Sequence, residues 1–238
     1  MPTLYLVRHG QASFGAADYD QLSDLGALQC RRLGAHWAAR GRRFQAVLRG
    51  TLKRHRQSLA ALAAELPGLP EAQEIAALDE YDSAAVLRAL HPEPLPRERT
   101  PENARHHFRV LRQGLQAWME GRTAPVGMPT YADFAAGVAA VLERVRTGHD
   151  GDVLVMSSGG PISTAVGLVL GVAPTMGIEL NLRLRNSAVS ELSFNPKRHV
   201  LHSFNHLPHL VEHADAACIT YACAAARSGY TCGLSAPV

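Results

Sequence analysis

The stretch VLVMSSGGPIS, Val153 to Ser163, is an apolar run of strand length that ends in two serines and two glycines, ahead of a proline and a new apolar segment. That order reads as strand, tight turn and helix start. Something is presented at the turn. Ser157 and Ser158 stand there as helix caps, as working residues, or where a working residue is missing.

Working outward, further β-prone runs lie at Leu4–Val7, Ala46–Gly50, Glu74–Leu78, Ala188–Phe194 and His199–Phe204, the last two reading as a hairpin through Asn195, Pro196 and Lys197. Amphipathic helical patterns fill the intervals, at about 23–40, 52–65, 101–120, 130–146 and 161–170. Strands alternating with helices predict an α/β fold, a three-layer α/β/α sandwich around a mostly parallel central sheet. The helix at 101–120 follows no strand, and it is bracketed by HPEPLPRERTPEN (His91–Asn103) and APVGMP (Ala124–Pro129). This predicts a small helical cap inserted over about residues 91–129. One α/β domain is expected over residues 1–213, and the tail, 214–238, is rich in small residues and reads as partly loose.

Composition narrows the function classes. Hydrophobic residues make up 47% and charged residues 19%, an ordinary globular balance with no argument for extended disorder. The net charge of +3 is small, and Lys53 and Lys197 are the sole lysines. Arginine suits phosphate or carboxylate, but coding bias explains an Ala- and Arg-rich chain more readily. No dense basic run is interleaved with aromatics, so no nucleic-acid partner is expected. The apolar run near Met1 is too short for a signal peptide, and no later run approaches membrane-spanning length. A cytoplasmic protein without membrane contact is the expectation. The four cysteines include no C-x-x-C pair, which predicts reduced thiols and no metal site.

The chemistry gathers at strand ends. LVRHG places Arg8 and His9 at the end of the first strand, where ligands collect in open α/β sheets. A lone histidine there would be read as a hydrogen-bonded strand end. Here GTLKRHRQSL puts Arg54 one turn into a helix after the second strand, LDEYD offers Asp79, Glu80 and Asp82, and SSGGP supplies a glycine turn at a helix start. Histidine, paired arginines, a carboxylate and a glycine turn form an inventory for handling a phosphate ester.

These residues resemble the histidine phosphatase superfamily, also called the phosphoglycerate mutase-like family. The likeness rests on LVRHG, LSDLGALQ (Leu22–Gln29), LKR (Leu52–Arg54), LDE (Leu78–Glu80) and VLVMSSGG (Val153–Gly160), and extends to about His209. The resemblance implies that His9 attacks phosphorus to form a phosphohistidine, that Arg8 and Arg54 hold the phosphoryl oxygens, and that Glu80 protonates the leaving alkoxide. No cofactor is implied. The partner is a small-molecule phosphate ester or a phosphorylated protein.

Two departures stand out. Relatives usually carry a second histidine directly before the paired glycines, and here that position is Ser158; their asparagine a few residues beyond RHG is also absent, with Gly15 near that place. Ser158 keeps a hydroxyl, and Gly159 and Gly160 offer backbone N–H groups, so a weakened phosphatase is expected over a dead one. Ser158 is equally readable as a helix N-cap without substrate contact. Ser158→His is expected to raise activity. Gln11 and Ser13 are further candidates for phosphate contact. Among His202, His206, His209 and His213, helical spacing suggests a metal face, but Pro208 and the strand-like alternation of 199–204 argue against it; His209 is the candidate for reaching the pocket. Specificity is expected to depend on Arg97, Arg99, Arg105 and the loop from Gln11 to Asp20. The alternatives are mutase-type phosphoryl transfer and a catalytically silent phospholigand-binding or scaffold protein.

Overall fold

The computed structural model describes residues 1–13, 20–93 and 100–221. Six strands, β1 (Thr3–Arg8), β2 (Ala46–Arg49), β3 (Ala72–Glu74), β4 (Val153–Ser157), β5 (Val189–Asn195) and β6 (Arg198–His206), form one sheet in the order β3-β2-β4-β1-β5-β6. The first four run parallel, and β5 and β6 are antiparallel additions on the β1 side. The seven helices among the described residues are α1 (Asp24–Ala38), α2 (Lys53–Ala63), α3 (Ser83–Leu90), α4 (Pro101–Met119), α5 (Tyr131–Gly148), α6 (Gly159–Leu170) and α7 (Met176–Arg183).

Alternation along the strands creates the three layers. On one face Leu4, Leu6, Leu48, Val153 and Val155 pack against Val138, Val141 and Val145 of α5 and Ile162 and Val166 of α6. On the other, Tyr5, Val7, Val47, Leu154 and Met156 pack against Cys30, Leu33 and Trp37 of α1 and Leu62 of α2. Successive side chains of a strand point to opposite faces, so a strand apolar at every position must be covered on both. The α/β sandwich expected from the pattern is what forms.

Three elements differ from expectation. The third strand is shorter and earlier than Glu74–Leu78: β3 ends at Glu74, and Ala76–Leu78 is a 3-10 turn. As an edge strand with a single neighbour, β3 has no further ladder once Ile75 N–H has bonded to Arg49 O. Helices α3 and α7 lie in segments with no helix expected. Each has eight residues, too short for a clear period, and α3 is started by Asp82, whose carboxylate accepts from Ala84 and Ala85 N–H.

Helix α4 rests on a separate apolar cluster, Val86, Leu111, Leu115, Trp118 and Ile178, which joins it to α3 and α7. Arg97, Arg99 and Gly15 lie outside the described residues. The start of the tail docks on the body. Cys218 is buried, and Gln29 Nε2 donates to Cys218 O (2.6 Å) and Thr220 Oγ1 (3.0 Å). Cys30 is a free buried thiol, but Cys218 is disulfide-bonded, a correction to the reduced thiols expected from spacing alone. Among the described residues no helix is long and apolar enough to cross a membrane.

Candidate active site

Parallel strands β1, β2 and β4 end at one edge of the sheet, which brings their carboxyl-terminal residues together. Arg8 pairs with Ser157 across β1 and β4, so His9 and Ser158 follow side by side. His9 is buried, and the chain then turns sharply against α1. A Cβ on Gly10 would lie 2.3 Å from Gly26 O, so only glycine fits that close approach.

The ring of His9 is held in one orientation. Its Nδ1 lies 2.6 Å from Gly10 O, an acceptor, so Nδ1 carries the proton and the lone pair sits on Nε2. Arg54 Nε–H donates to that Nε2 at 3.2 Å. Burial, then the Arg8, Arg54 and His55 charges, hold the His9 pKa well below 6.5, so the imidazole is neutral at physiological pH.

Two arginines flank the ring. Arg8 is buried and donates to Leu184 O. Arg54, in the first turn of α2, reaches Asp20 Oδ1 through Nη1 at 2.7 Å, and the other oxygen of Asp20 accepts from Lys53 N–H at 2.7 Å. Asp20 thereby holds both the arginine and the start of its helix. Opposite stands Glu80, whose oxygens accept from Gly160 N–H at 3.0 and 3.2 Å. A Cβ on Gly160 would come within 2.2 Å of Glu80 Oε1, so the second glycine of the pair makes room for the carboxyl. Burial pushes the Glu80 carboxyl up, against the pull of Arg54, the Gly160 N–H and Arg8. A carboxyl with a raised pKa is fitted to give a proton.

Ser158 is the N-cap residue of α6, but its side chain makes no capping hydrogen bond. Its hydroxyl instead meets His55 Nε2 at 2.7 Å. His55 is fully buried on α2, 5.7 Å from His9 between ring centroids, and its Nδ1 lies 3.6 Å from Asp79 Oδ1. Neither His55 nor Asp20 was a sequence candidate. The signal for His55 was its place with Ser58 and Leu62, three and seven residues on, along the buried face of α2.

The sequence of strand end, histidine, arginine and carboxyl is mirrored at the level of the whole chain: the family model described as histidine phosphatase superfamily (branch 1) matches residues 4–207. The chain belongs to the histidine phosphatase superfamily. Similar solved structures include a mutant phosphoserine phosphatase from Entamoeba histolytica in complex with phosphoserine, 19% identical, covering 89% of this chain and 100% of that one with a TM-score of 0.61. A mycobacterial glucosyl-3-phosphoglycerate phosphatase with inorganic phosphate is 20% identical over 88% of this chain and 99% of that one, TM-score 0.61. The protein histidine phosphatase SixA complexed with tungstate is 15% identical over 84% and 94%, TM-score 0.54. These likenesses show a shared fold. A search of curated proteins finds no match.

The remaining candidates of this histidine phosphatase superfamily member lie around the centre. Gln11 turns toward α1: its Oε1 accepts from Ser23 Oγ (3.1 Å) and its N–H donates to Gln29 Oε1 (2.9 Å). Ser13 bonds through its N–H to Gln21 O at 2.7 Å. His209 is buried and meets Ser187 Oγ through Nε2 at 2.9 Å, and Ser187 N–H in turn donates to His9 O at 3.2 Å. Gly159 begins α6 beside Asn181, whose Oδ1 a Cβ there would meet at 2.1 Å.

Proposed function

We propose that this chain is a metal-independent phosphomonoester hydrolase that works through a phosphohistidine on His9. The observation that carries it is the committed tautomer of a buried His9: Nδ1–H bound to Gly10 O, and Nε2 unprotonated, its lone pair accepting from Arg54 Nε–H in the resting site. In this reading the phosphoryl group lies between Arg8 and Arg54, whose guanidinium forks suit its oxygens. His9 Nε2 attacks phosphorus as the ester P–O bond breaks, and the Glu80 carboxyl gives its proton to the leaving oxygen. The Glu80 carboxylate then takes a proton from water, and the hydroxide formed breaks the P–N bond to release phosphate. Gly160 N–H keeps Glu80 in place through both protonation states.

The substrate class is a small phosphate monoester, in line with the phosphoserine and 3-phosphoglycerate bound by the structural neighbours. Ser158 takes the position that the second histidine holds in relatives. Acid-labile phosphate labelling of wild type and His9→Ala, beside turnover of an aryl phosphate, tests the mechanism. Label that survives the substitution sinks it. Interconversion of 2- and 3-phosphoglycerate would instead identify a mutase, and ligand binding without turnover at any pH a silent binding protein.

A further inference from the structure

One cluster of side chains, with the buried His55 at its centre, is left unused by that chemistry. Ser158 Oγ, His55 Nε2, His55 Nδ1 and Asp79 Oδ1 form a line leading away from His9, with separations of 2.7 Å and 3.6 Å on the two sides of the ring. Ser158 and His55 are both 0% exposed. The line is held from behind: Asp79 accepts from Thr51 N–H at 2.6 Å and from Thr51 Oγ1 at 2.5 Å. It is also fitted from the side. A Cβ on Gly50 would fall 2.2 Å from His55 Nδ1 and 2.4 Å from Asp79 Oδ1, so glycine at the end of β2 is what lets the imidazole and the carboxylate approach each other.

The influences on His55 oppose one another, with burial the largest. Burial holds its pKa below 6.5 and Arg54 works the same way, while Asp79 and Asp20 favour the cation and neutral His9 lies alongside. Although burial opposes ionisation of Asp79, the nearby His55 ring and the hydrogen bonds from Thr51 keep its carboxyl below the usual range. An oxyanion seated against His9 adds negative charge to this balance from the open side. The register of β1 and β4 puts Ser158 beside His9, with its hydroxyl on His55.

We propose that Asp79, His55 and Ser158 form an anion-dependent proton relay that supplies positive charge to the phosphoryl site without placing a cation against it. In the empty site His55 is neutral, with its proton on Nδ1 toward Asp79 and its Nε2 accepting from the Ser158 hydroxyl. When an oxyanion binds, one proton from solvent goes to Nε2, Nε2–H donates to Ser158 Oγ, and the serine hydroxyl turns to donate to the anion. Ser158 is then the contact residue, and His55 and Asp79 are positioning residues that act through it. The relay rests on the phosphohydrolase reading only in seating the anion at His9.

Sulfate tests it, because sulfate does not titrate near neutrality. Calorimetry of the full chain in buffers of different ionisation heat is expected to show uptake of about one proton per sulfate bound, with the dissociation constant rising about tenfold per pH unit above the bound-state titration. With ¹⁵N-histidine, one ring is expected to move to its imidazolium shift on sulfate addition. His55→Asn and Ser158→Ala should each abolish both signals, and Gly50→Ala should weaken them. If His55→Asn does not fold, the wild-type spectrum and Ser158→Ala decide alone. Sulfate that does not bind, binding without proton uptake, or uptake lost in Glu80→Gln but kept in His55→Asn overturns the relay. So does an acid-stable phosphate label on Ser158, which would make the same line a nucleophilic triad. The two readings fail separately: label on His9 without proton uptake breaks only the relay, and proton uptake at His55 without label on His9 breaks only the hydrolase.

Discussion

Two buried histidine–serine pairs lean on His9 from opposite sides. His55 meets Ser158 at 2.7 Å, next to His9 across β4, and His209 meets Ser187 at 2.9 Å, next to His9 through a main-chain hydrogen bond. What stands behind each ring differs. Neither Nδ1 makes a hydrogen bond, but that of His55 has the Asp79 carboxylate at 3.6 Å. Burial first, then the positive neighbours His36 and Arg32, push the His209 pKa down to about 3, and the one opposing carboxylate, Asp215, is engaged by Arg32 at 2.5 Å. A buried imidazole with a carboxylate behind it can be asked to take a proton. One without is a neutral hydrogen-bonding strut.

The largest effect that bears on this contrast is removal of the residue both pairs serve. His9→Ala should eliminate the acid-labile label and lower turnover by about 10⁴-fold or more, measured with an aryl phosphate. Next, Glu80→Gln should lower kcat by roughly 10²–10⁴-fold and remove the alkaline limb of the pH profile. The sign follows from the raised Glu80 pKa: the acid form is lost as pH rises through it, so wild-type activity falls on the alkaline side. The acid limb, set by His9, should lie well below pH 6.5.

A third change separates the pairs by space. Ser158→His was expected to help, but Ser158 is fully buried against His55, and a second imidazole there has no room. Alone it should lower stability by about 1–3 kcal/mol in urea denaturation and reduce activity; combined with His55→Ala it should regain stability. Recovery absent from the double variant would mean that the two side chains do not share one space.

The smallest effect belongs to the strut. His209 binds no proton in the folded protein until about pH 3, whereas the unfolded chain binds one near 6.5. Its contribution to stability is therefore complete above pH 6.5 and lost as pH falls toward 3. His209→Gln should flatten that acid loss in denaturation measured across pH, and leave proton uptake at His55 untouched. Abolished uptake would make the two pairs one network.

Much of this was legible from residue order. Strands apolar at every position, such as Leu4 to Val7, announce a sheet covered on both faces, and RHG, Arg54 and Glu80 follow strand ends that any parallel sheet gathers at one edge. The burial of His55 was legible, but its partner was not, since Ser158 lies 103 residues away and they meet only because β2 and β4 are neighbours. Ser158 looked like a helix cap or a loss because a hydroxyl at that place is ambiguous until its acceptor is known. The short α3 and α7 are hard to read because eight residues span little more than two turns, and the shortened β3 because an edge strand needs only as many residues as its one neighbour can bond.

The mount of His9 has one more consequence. Its N–H is bound to Ser157 O at 2.9 Å, its C=O accepts from Ser187 N–H at 3.2 Å and Asn186 Nδ2 at 3.3 Å, and its ring is tied to Gly10 O. Asn186 is itself latched by Thr220, through Thr220 Oγ1 to Asn186 Oδ1 at 3.0 Å and Asn186 N–H to Thr220 O at 2.9 Å. The entropy that an attacking group must surrender is thus already lost in the resting fold, as effective molarity requires. Part of that rigidity is anchored more than two hundred residues downstream of His9, so a distant part of the chain sets how still the first strand's histidine is held.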